Sequence, residues 1–526
     1  MTKTGSQVSL SLVASQMPSW LLPAVAGGVL MGLSAPPAAL PITIVPGLLL
    51  LLRSMRRIQS HQNPALPVFV SIGLSWGLAY AWVGTHVMPH VAWTSVLVLV
   101  ALVSVMAASA TAGYRTAGTV GMTVGLLAAE MVLTYGPVAF PWVSPGFTVS
   151  GTILDVLPMW SGITGTSALL LAFAVGMEAI LYTRMPARTL DATLVTVMVF
   201  FALGVSFLPE RGSEPQRSIQ PAGPTTTTHA TLPHLRVALI QPGMTPWEWA
   251  DIHDAARTTQ LSRLSMDADE APLHVWPETA LPQRMAESIP LLSHHFLVPP
   301  GAALVTGAII QPKERTDRPY NASVFIPAEG APSWNAKRKL VPFAEYVPGE
   351  YHFPFLGFLR VRAGGVSGYA SGQERPQYDV DGVPFATLIC FESVFAREAR
   401  SAVRSGAGFL VVQTQDGWWT SDRAWMQHQA LSSLVASAVG RPMAVASVSG
   451  WTGLIGSDGH TRGDIAPGVP GTLVVEVHPE TASTGYFHAG EWPAVGIFLL
   501  LSTCALVSRY RDPTFRTVRT RVHQSS

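Results

Sequence analysis

The sequence predicts two parts, a polytopic α-helical membrane domain and a layered α/β domain that lies outside the cytoplasm. Charged residues make up only 12% of the 526-residue chain, about half of the ~25% found in soluble domains. Mean hydropathy is correspondingly high, at +0.32, and both values indicate membrane spans. The net charge of +1 gives no reason to expect a nucleic-acid partner. With only two cysteines in the chain, no framework of disulfides is available.

The membrane domain is expected over residues 1–208, with about seven transmembrane helices, and one further helix is expected at 488–508. Most of the apolar segments approach the ~20 residues that cross a bilayer. Seven such segments in succession argue against the buried core helices of a soluble protein. They lie at about 20–35, 40–52, 67–88, 91–110, 118–139, 163–182 and 190–208.

Basic residues between these segments set the expected orientation, because Lys and Arg concentrate in cytoplasmic loops. If every segment crosses the membrane, all basic clusters fall on one side, whereas loops on the other side, such as 140–162, carry almost none. Both termini are then cytoplasmic, including a basic tail at 509–526, and the large segment before the last span is extracytoplasmic. The clusters are Arg53, Arg56 and Arg57; Arg115; Arg184 and Arg188; and Arg509, Arg511, Arg516, Arg519 and Arg521.

A polar linker rich in proline and threonine is expected at 209–233, because this stretch has no periodic apolar pattern. Over residues 234–482, short β-rich runs alternate with helical patterns, and this alternation predicts the α/β domain. The expected strands lie near 236–240, 273–276, 303–306, 322–326, 383–390, 409–412, 443–446 and 472–476, and the expected helices near 250–268, 393–406 and 423–439.

Three polar side chains in this domain follow β-rich runs and together suggest a catalytic site. Glu278 comes directly after a strand, in a turn that Pro277 enforces. Lys337 lies in a basic loop, and Cys390 ends the apolar run that begins at Val383. These groups suffice for acyl transfer, because the carboxylate can take the thiol proton and the sulfur can form a thioester. The ammonium would lower the pKa of the thiol and stabilise the oxyanion of the transition state.

Each of these residues also has a plainer interpretation. An unpaired cysteine on a strand is most often a packed core residue. A Trp-Pro-Glu triplet is a common turn, and a lysine-rich loop is usually a solvated face. No histidine accompanies Cys390 in sequence, so a Cys-His arrangement has less support.

The combination of motifs resembles a known family. The run Lys337-x-x-Leu-Val-Pro-Phe-x-Glu345-Tyr-x-Pro, together with Glu278 and Cys390, is similar to the nitrilase superfamily, whose members carry a Glu-Lys-Cys triad in an αββα sandwich. With the apolar segments included, nearly the whole chain resembles the apolipoprotein N-acyltransferases. Phe140-Pro-Trp142-x-x-x-Gly146 and Gly490-Glu-Trp-Pro493 resemble further signatures of that family.

The resemblance implies roles for the catalytic residues and for two acidic neighbours. Glu278 is the expected general base, Lys337 is the partner of the thiolate and oxyanion, and Cys390 is the acylated nucleophile. Glu345 and Glu392 resemble supporting acidic residues that orient the lysine and the cleft.

Two more residues have a weaker correspondence to the family. Trp249 resembles a tryptophan at the entrance of the site, with Trp247 as a rival, and Asn321 resembles an asparagine near the site, although a hairpin-turn Asn fits equally well. The sequence also departs from the family pattern. Phe391 stands where a tyrosine is usual, and the segments 415–420 and 448–450 differ from the usual loops.

The resemblance further implies the reaction and its partners. A fatty acyl chain would pass from a membrane phospholipid to Cys390, and then to the N-terminal α-amine of an S-diacylglyceryl-cysteine apolipoprotein, without a cofactor or a metal. The enzyme would be a multi-pass monomer of the cytoplasmic (inner) membrane, with its catalytic domain on the periplasmic side. Two alternatives stay open: a membrane-tethered nitrilase-like amidase or acyltransferase with a different acceptor, and a non-enzymatic transport or scaffold protein.

Overall fold

The computed structural model describes most of the chain in separate stretches. The expected seventh span at 190–208 and the linker as far as residue 232 lie outside these stretches, as do residues 512–526 of the expected tail. The described residues are 17–36, 40–58, 62–85, 89–182, 233–268, 270–281, 284–286, 298–311, 318–359, 368–418 and 421–511.

Apolar helices that pack against one another form the N-terminal part. Among the described residues, Val96–Tyr135 and Pro158–Leu181 are helical stretches long and apolar enough to cross a membrane. Leu21–Ser34, Ala65–Tyr80 and Trp492–Val507 are shorter apolar helices. The N-terminal helices, called the N-terminal bundle below, are α1 (Leu21–Ser34), α2 (Ile44–Arg56), α3 (Ala65–Thr85), α4 (Pro89–Tyr135) and α5 (Pro158–Tyr182).

Helix α4 is a hairpin of two antiparallel arms. The backbone leaves the helical region at Gly118, whose φ is +62°. Beyond this break Gly121 packs against Gly113, and Ser109 Oγ donates a hydrogen bond to the Gly125 carbonyl at 2.7 Å. A Cβ at Gly113 would overlap the Gly121 carbonyl, so this close approach requires glycine. The break falls between the two apolar segments expected at 91–110 and 118–139.

The second part of the chain forms two β-sheets with helices. The helices are α6 (Pro246–Asp251), α7 (Asp254–Met266), α8 (Ala396–Arg404), α9 (Asp422–Val439), α10 (Gly485–Ala489) and the closing helix α11 (Trp492–Arg511). The strands are β1 (Leu235–Gln241), β2 (Leu273–Val275), β3 (Arg284–Ala286), β4 (Ala303–Gln311), β5 (Tyr320–Ile326), β6 (Ser333–Ala336), β7 (Tyr378–Val380), β8 (Val383–Ile389), β9 (Phe409–Thr414), β10 (Met443–Ser447), β11 (Thr452–Ile455), β12 (Thr461–Ile465) and β13 (Gly471–Val477).

The sheets have mixed strand directions. The first has the order β13-β1-β2-β4-β5-β6, with β3 added to β4, and the second has the order β12-β11-β10-β9-β8-β7. The central neighbours β1, β2 and β4 are parallel, and so are β8, β9 and β10. Parallel strands end at the same edge of a sheet, so residues that follow β2 or β8 can meet in one place.

The two sheets pack face to face and carry helices on their outer faces. Along β1, Val237 and Leu239 enter the core between the sheets, whereas Ala238 and Ile240 face the layer that contains Leu261 of α7. This alternation follows the two-residue period of a strand. Helices α8 and α9 cover the second sheet in the same way. The expected αββα sandwich is therefore confirmed.

The outer helices of the second sheet rest on the N-terminal bundle. The side-chain amide of Gln427 on α9 donates hydrogen bonds to the carbonyls of Pro36 at 2.8 Å and Ala79 at 2.9 Å. The apolar core beneath this sheet continues into the bundle. The turn after β8 consequently lies against it, where Trp142 stacks on Phe391 with ring centroids 5.7 Å apart.

Candidate active site

Lys337 lies at the centre of a buried group of charges. It follows β6, and its side chain is 1% exposed. Its ammonium donates to Glu278 Oε1 at 3.3 Å and to Glu345 Oε1 at 2.9 Å. A buried ammonium is stable only when it is paired, so the two carboxylates fix this amine in one position.

Asn321 binds the same two carboxylates from β5. Its Nδ2 donates to Glu278 Oε1 at 2.7 Å and to Glu345 Oε1 at 3.1 Å. Its backbone carbonyl accepts a hydrogen bond from the Lys337 N–H at 2.8 Å. Asn321 thus lies within a strand, not in a hairpin turn, and it aligns all three charged groups.

Glu278 lies in the tight turn expected after β2. The turn packs so closely on β4 that a Cβ at Gly307 would meet the backbone of Thr279 and Pro277. From the second sheet, Gln413 Nε2 donates to the Trp276 carbonyl at 2.7 Å. These contacts from two strands hold the Glu278 carboxylate in place.

Cys390 occupies a sharp bend where β8 passes into the short 3₁₀ helix Cys390–Val394. Its φ is +49°, in the left-handed region that residues other than glycine rarely adopt. The side chain is partly exposed, so the structure favours a presented thiol over a packed core residue. Backbone strain of this kind occurs most often at functional sites.

The charges in this group affect one another strongly. Burial raises the pKa of the Cys390 thiol, the Glu278 carboxylate raises it further, and Lys337 lowers it only in part. Burial also raises the pKa of Glu278, against the effect of Lys337. Although burial alone would lower the pKa of Lys337, the carboxylates of Glu278 and Glu345 raise it well above its usual value. Lys337 thus lowers the pKa of the Cys390 thiol, the direction expected from the sequence, but burial and the Glu278 carboxylate outweigh it and the net pKa is raised.

Glu392 connects the turn of Cys390 to the loop of Lys337. The residue is fully buried. One carboxylate oxygen accepts a hydrogen bond from the Ile389 N–H at 2.9 Å, and the other accepts one from the Arg338 N–H at 2.8 Å. The two donors are the chain neighbours of Lys337 and Cys390, so one carboxylate fixes the distance between the two segments.

Arg375 is a structural partner that sequence reasoning missed. Its guanidinium donates to Glu392 Oε1 at 3.1 Å, to Glu398 Oε2 at 3.2 Å and to the Thr387 carbonyl. Its side chain is only 3% exposed, so it balances the charge of the buried Glu392. A lone arginine in a polar loop gives no signal of this role in the sequence.

The two tryptophans proposed for the entrance differ in exposure. Trp249 is 4% exposed and packs in the core beneath the first sheet, with the Arg257 guanidinium 4.7 Å from its ring centroid. Trp247 is 46% exposed. Of the two, Trp247 is therefore the one that can meet a ligand from solvent or from a membrane surface.

A histidine also lies beside the cysteine, although none is near it in sequence. His428 on α9 is hydrogen bonded to Asp416 through Nδ1 at 2.7 Å and to Ser393 Oγ through Nε2 at 2.9 Å. Ser393 in turn donates to the Cys390 carbonyl at 3.0 Å. Only the packing of α9 against the turn after β8 brings these groups together.

The donor set of the site does not indicate a metal centre. Within the described stretches, no three His, Cys, Asp or Glu side chains are grouped so that they could hold a metal ion. The Lys337 ammonium occupies the position between Glu278 and Glu345 where a cation would bind. The chain's own side chains thus balance the charge there.

Similarity to known proteins covers this site. The family model of the carbon–nitrogen hydrolases matches residues 236–485. Among curated relatives, the apolipoprotein N-acyltransferase of Chlorobaculum tepidum is 32% identical over 255 residues, which cover 43% of this chain and 48% of the relative. That alignment spans about half of the relative's length. The enzymes of the same name from Pseudomonas syringae and Pseudomonas aeruginosa are 28% and 27% identical over 385 and 402 residues, covering 70% and 74% of both chains.

Solved structures are similar to the domain with the two sheets. A CN-hydrolase superfamily protein from Xanthomonas campestris has a TM-score of 0.33 and 18% identity, covering 50% of this chain and 96% of its own. Nit3 from Saccharomyces cerevisiae, a member of branch 10 of the nitrilase superfamily, has a TM-score of 0.37 and 15% identity, covering 48% and 93%.

The matched family region contains Glu278, Lys337 and Cys390, together with both sheets. The alignments with the two Pseudomonas proteins are longer than this region, so the similarity continues into the apolar helices. Residues 236–485 match the carbon–nitrogen hydrolase family, and the chain as a whole is similar to the apolipoprotein N-acyltransferases.

Proposed function

We propose that this protein transfers a fatty acyl chain from a membrane phospholipid to the N-terminal α-amine of an S-diacylglyceryl-cysteine apolipoprotein. The transfer runs in two steps through a thioester on Cys390. The observation that carries the proposal is the pairing of Lys337 with Glu278 and Glu345 in a buried site whose charges act on the Cys390 thiol.

In the first step, Glu278 takes the thiol proton as the sulfur attacks the ester carbonyl of the phospholipid. The raised pKa values of Cys390 and Glu278 keep the proton on sulfur until this attack, and let the carboxylic acid hold it afterwards. Lys337 stabilises the negative charge on the tetrahedral oxygen. When the ester C–O bond breaks, Glu278 returns the proton to the leaving oxygen, and a lysophospholipid departs.

In the second step, the α-amine of the apolipoprotein attacks the thioester carbonyl. Glu278 accepts a proton from the nitrogen, an amide bond forms, and the C–S bond breaks. The thiolate regains its proton from Glu278, which restores the resting site. The same base therefore serves both steps, as expected for a ping-pong reaction.

Contacts with the apolar helices support a lipid substrate. The ring stack of Trp142 on Phe391 brings the cysteine turn against the segment that joins α4 and α5 of the N-terminal bundle. Phe353 and Phe355, in the loop after the lysine motif, are 55% and 69% exposed. Because burying a lipid tail stabilises binding by about 0.8 kcal/mol per CH₂, a site close to the bilayer avoids extracting either lipid into water.

The proposed topology follows the distribution of basic residues. The protein is a multi-pass monomer of the cytoplasmic membrane, with about seven spans before the catalytic domain and one after it. The catalytic domain is periplasmic and both termini are cytoplasmic. Cysteine labelling from either side of the membrane, at positions introduced in the segment 140–162 and in the expected tail at 509–526, tests this arrangement.

The experiment uses the full chain in lipid nanodiscs with an acyl-labelled phospholipid and a diacylated lipopeptide. Cys390→Ala abolishes both thioester and product. Cys504→Ala is the matched control, because Cys504 is the other cysteine and is exposed on α11, and it retains activity. Transfer by the Cys390→Ala protein would refute the thioester route, and release of free fatty acid without acylated peptide would identify a hydrolase with water as acceptor.

A further inference from the structure

The turn that presents Cys390 depends on support from outside the turn. A non-glycine residue at a φ of +49° is stable only where its surroundings fix the backbone. On one side of the bend, the Glu392 carboxylate accepts a hydrogen bond from the Ile389 N–H at 2.9 Å. On the other side, the Ser393 hydroxyl donates a hydrogen bond to the Cys390 carbonyl at 3.0 Å.

Ser393 has one hydrogen and several neighbours that could accept it. They are the carbonyl of Cys390 at 3.0 Å, His428 Nε2 at 2.9 Å and Ser432 Oγ at 2.8 Å. If Nε2 is unprotonated, it competes with the carbonyl for that hydrogen. If His428 carries both ring protons, Nε2–H donates to Ser393, and the serine hydrogen is left for Cys390.

The surroundings of His428 favour the doubly protonated ring. Burial lowers the pKa of His428, but the charge and hydrogen bond of Asp416 oppose burial, and the net effect of all the neighbouring groups raises the pKa. Glu278 and the Cys390 carbonyl act in the same direction. Asp416 itself is fixed by the Thr414 hydroxyl, which donates to its Oδ1 at 2.8 Å.

The support for this turn is anchored in the N-terminal bundle. Gln427, the neighbour of His428 on α9, donates to the carbonyls of Pro36 and Ala79. The ring of Trp142 lies 6.3 Å from the imidazole, measured between centroids. The position of His428 therefore depends on helices that belong to the apolar part of the chain.

We propose that His428, charged and paired with Asp416, is a positioning residue that fixes the Cys390 turn through Ser393. Through His428, the orientation of the Cys390 side chain depends on the packing of the N-terminal bundle against α9. The inference rests on the proposed function, in which Cys390 is the acylated residue.

The test measures the reaction of Cys390 with iodoacetamide in the full chain, in a Cys504→Ala background. The sulfur displaces iodide and its proton passes to Glu278, so the rate depends on the position of the thiol and needs no lipid. We expect His428→Gln to slow alkylation and the kcat of acyl transfer by about 10- to 100-fold, as a misplaced nucleophile does. The KM for phospholipid stays unchanged.

Two further variants separate positioning from packing. Ser432→Ala removes a hydroxyl that contacts the same serine but not Asp416, and its rate stays within about twofold of the parent, since a single neutral hydrogen bond contributes little. In His428→Gln the Asp416 carboxylate loses its charged partner and keeps only the Thr414 hydroxyl, so its negative charge raises the thiol pKa. Adding Asp416→Asn removes this charge, so the double variant should be alkylated about tenfold faster than His428→Gln alone. A tenfold change corresponds to one unit in the pKa of the thiol.

Several results would overturn the proposal. One is an alkylation rate of His428→Gln within about threefold of the parent rate, which is well short of a positioning effect. Another is an alkylation rate that does not rise when Asp416→Asn is added to His428→Gln. If His428→Gln does not fold, Ser393→Ala replaces it, because that variant deletes a single oxygen, and an unchanged rate there would equally refute the role. A parent protein that is alkylated normally but transfers no acyl group would refute the proposed function instead.

Discussion

The carboxylate of Glu392 accepts a hydrogen bond from the backbone N–H of Arg338 at 2.8 Å. This contact joins two segments that are far apart in the chain, because Arg338 follows Lys337 and Glu392 belongs to the turn of Cys390. A second hydrogen bond from Ile389 at 2.9 Å completes the connection. Glu392 therefore fixes the position of the cysteine turn relative to the loop of Lys337.

Glu392→Gln is expected to destabilise the fold and slow acylation. The amide must turn an N–H group toward one of the two backbone donors, and Arg375 loses one of its two charged partners and keeps only Glu398. Removing one member of a buried ion pair costs about 3–5 kcal/mol. We expect a clear fall in the melting temperature of the detergent-solubilised protein and at least a tenfold loss of thioester formation, about 1.4 kcal/mol in the barrier.

Glu374→Gln is the matched control, since Glu374 lies next to Arg375 in the chain and is exposed. Its stability and rate should equal those of the parent. If Glu392→Gln behaved like this control, the proposed link between the two segments would be incorrect.

Asn321 is expected to influence the pH dependence of acylation through the pKa of Glu278. Burial raises the pKa of Glu278, and the hydrogen bond from Asn321 counteracts part of that effect. The general base must be ionised, so activity is lost as the pH falls through its raised pKa. Asn321→Ala removes the donor, and the acid limb of kcat/KM should move to higher pH by about one unit, the equivalent of one hydrogen bond.

The control for Asn321 is Asn335→Ala. Asn335 is also buried, and it accepts hydrogen bonds from Tyr378 and Thr387, both outside the charged group. We expect this variant to be less stable than the parent, but the acid limb of its pH profile of kcat/KM should lie at the same pH. An unshifted limb in Asn321→Ala would mean that Glu278 is not the titrating base.

The sequence predicted the central strands well because they carry continuous apolar or alternating runs. The expected run 409–412 corresponds to β9 at Phe409–Thr414, and the run into Cys390 corresponds to β8. The edge strands β6 and β12 were not predicted. Ser333–Ala336 and Thr461–Ile465 are short and largely polar, and pairing with a neighbouring strand makes them extended.

The proposed catalytic residues and the supporting residues Asn321, Glu345 and Glu392 were predicted from motif and position, whereas Arg375 and His428 were not. Glu278, Lys337 and Cys390 each come at the end of a strand, which a single segment of sequence can reveal. Arg375 and His428 act only through contacts between distant segments. No local pattern of residues encodes such contacts, so three-dimensional packing was needed to find them.

Truncation of the two tryptophans of α6 is expected to have opposite effects on stability and on substrate binding. Trp249 is 4% exposed, and its truncation to alanine should destabilise the protein by about 3–5 kcal/mol. Trp247 is 46% exposed, so Trp247→Ala should leave the melting temperature nearly unchanged and raise KM for the lipopeptide or the phospholipid. Thermal unfolding and steady-state kinetics on both variants measure this contrast, and a raised KM confined to Trp249→Ala would assign the entrance to the other ring.

Lys337→Met separates the charge of the lysine from its volume. The methionine fills a similar space, but Glu278 and Glu345 then face each other without the ammonium that lies between them. Like charges at this distance repel, so one carboxylate takes up a proton. We expect thioester formation to fall by about 10²–10³-fold, as when an oxyanion donor is removed, together with a lower melting temperature.

The double variant Lys337→Met with Glu345→Gln tests the electrostatic origin of that instability. Removing one carboxylate relieves the repulsion, so the melting temperature recovers while thioester formation does not. Lys339→Met is the control in the same loop, since the Lys339 ammonium lies over the Phe395 ring at 5.8 Å and not between the carboxylates. If Lys337→Met kept the rate of this control, the oxyanion would have to be stabilised by a different group.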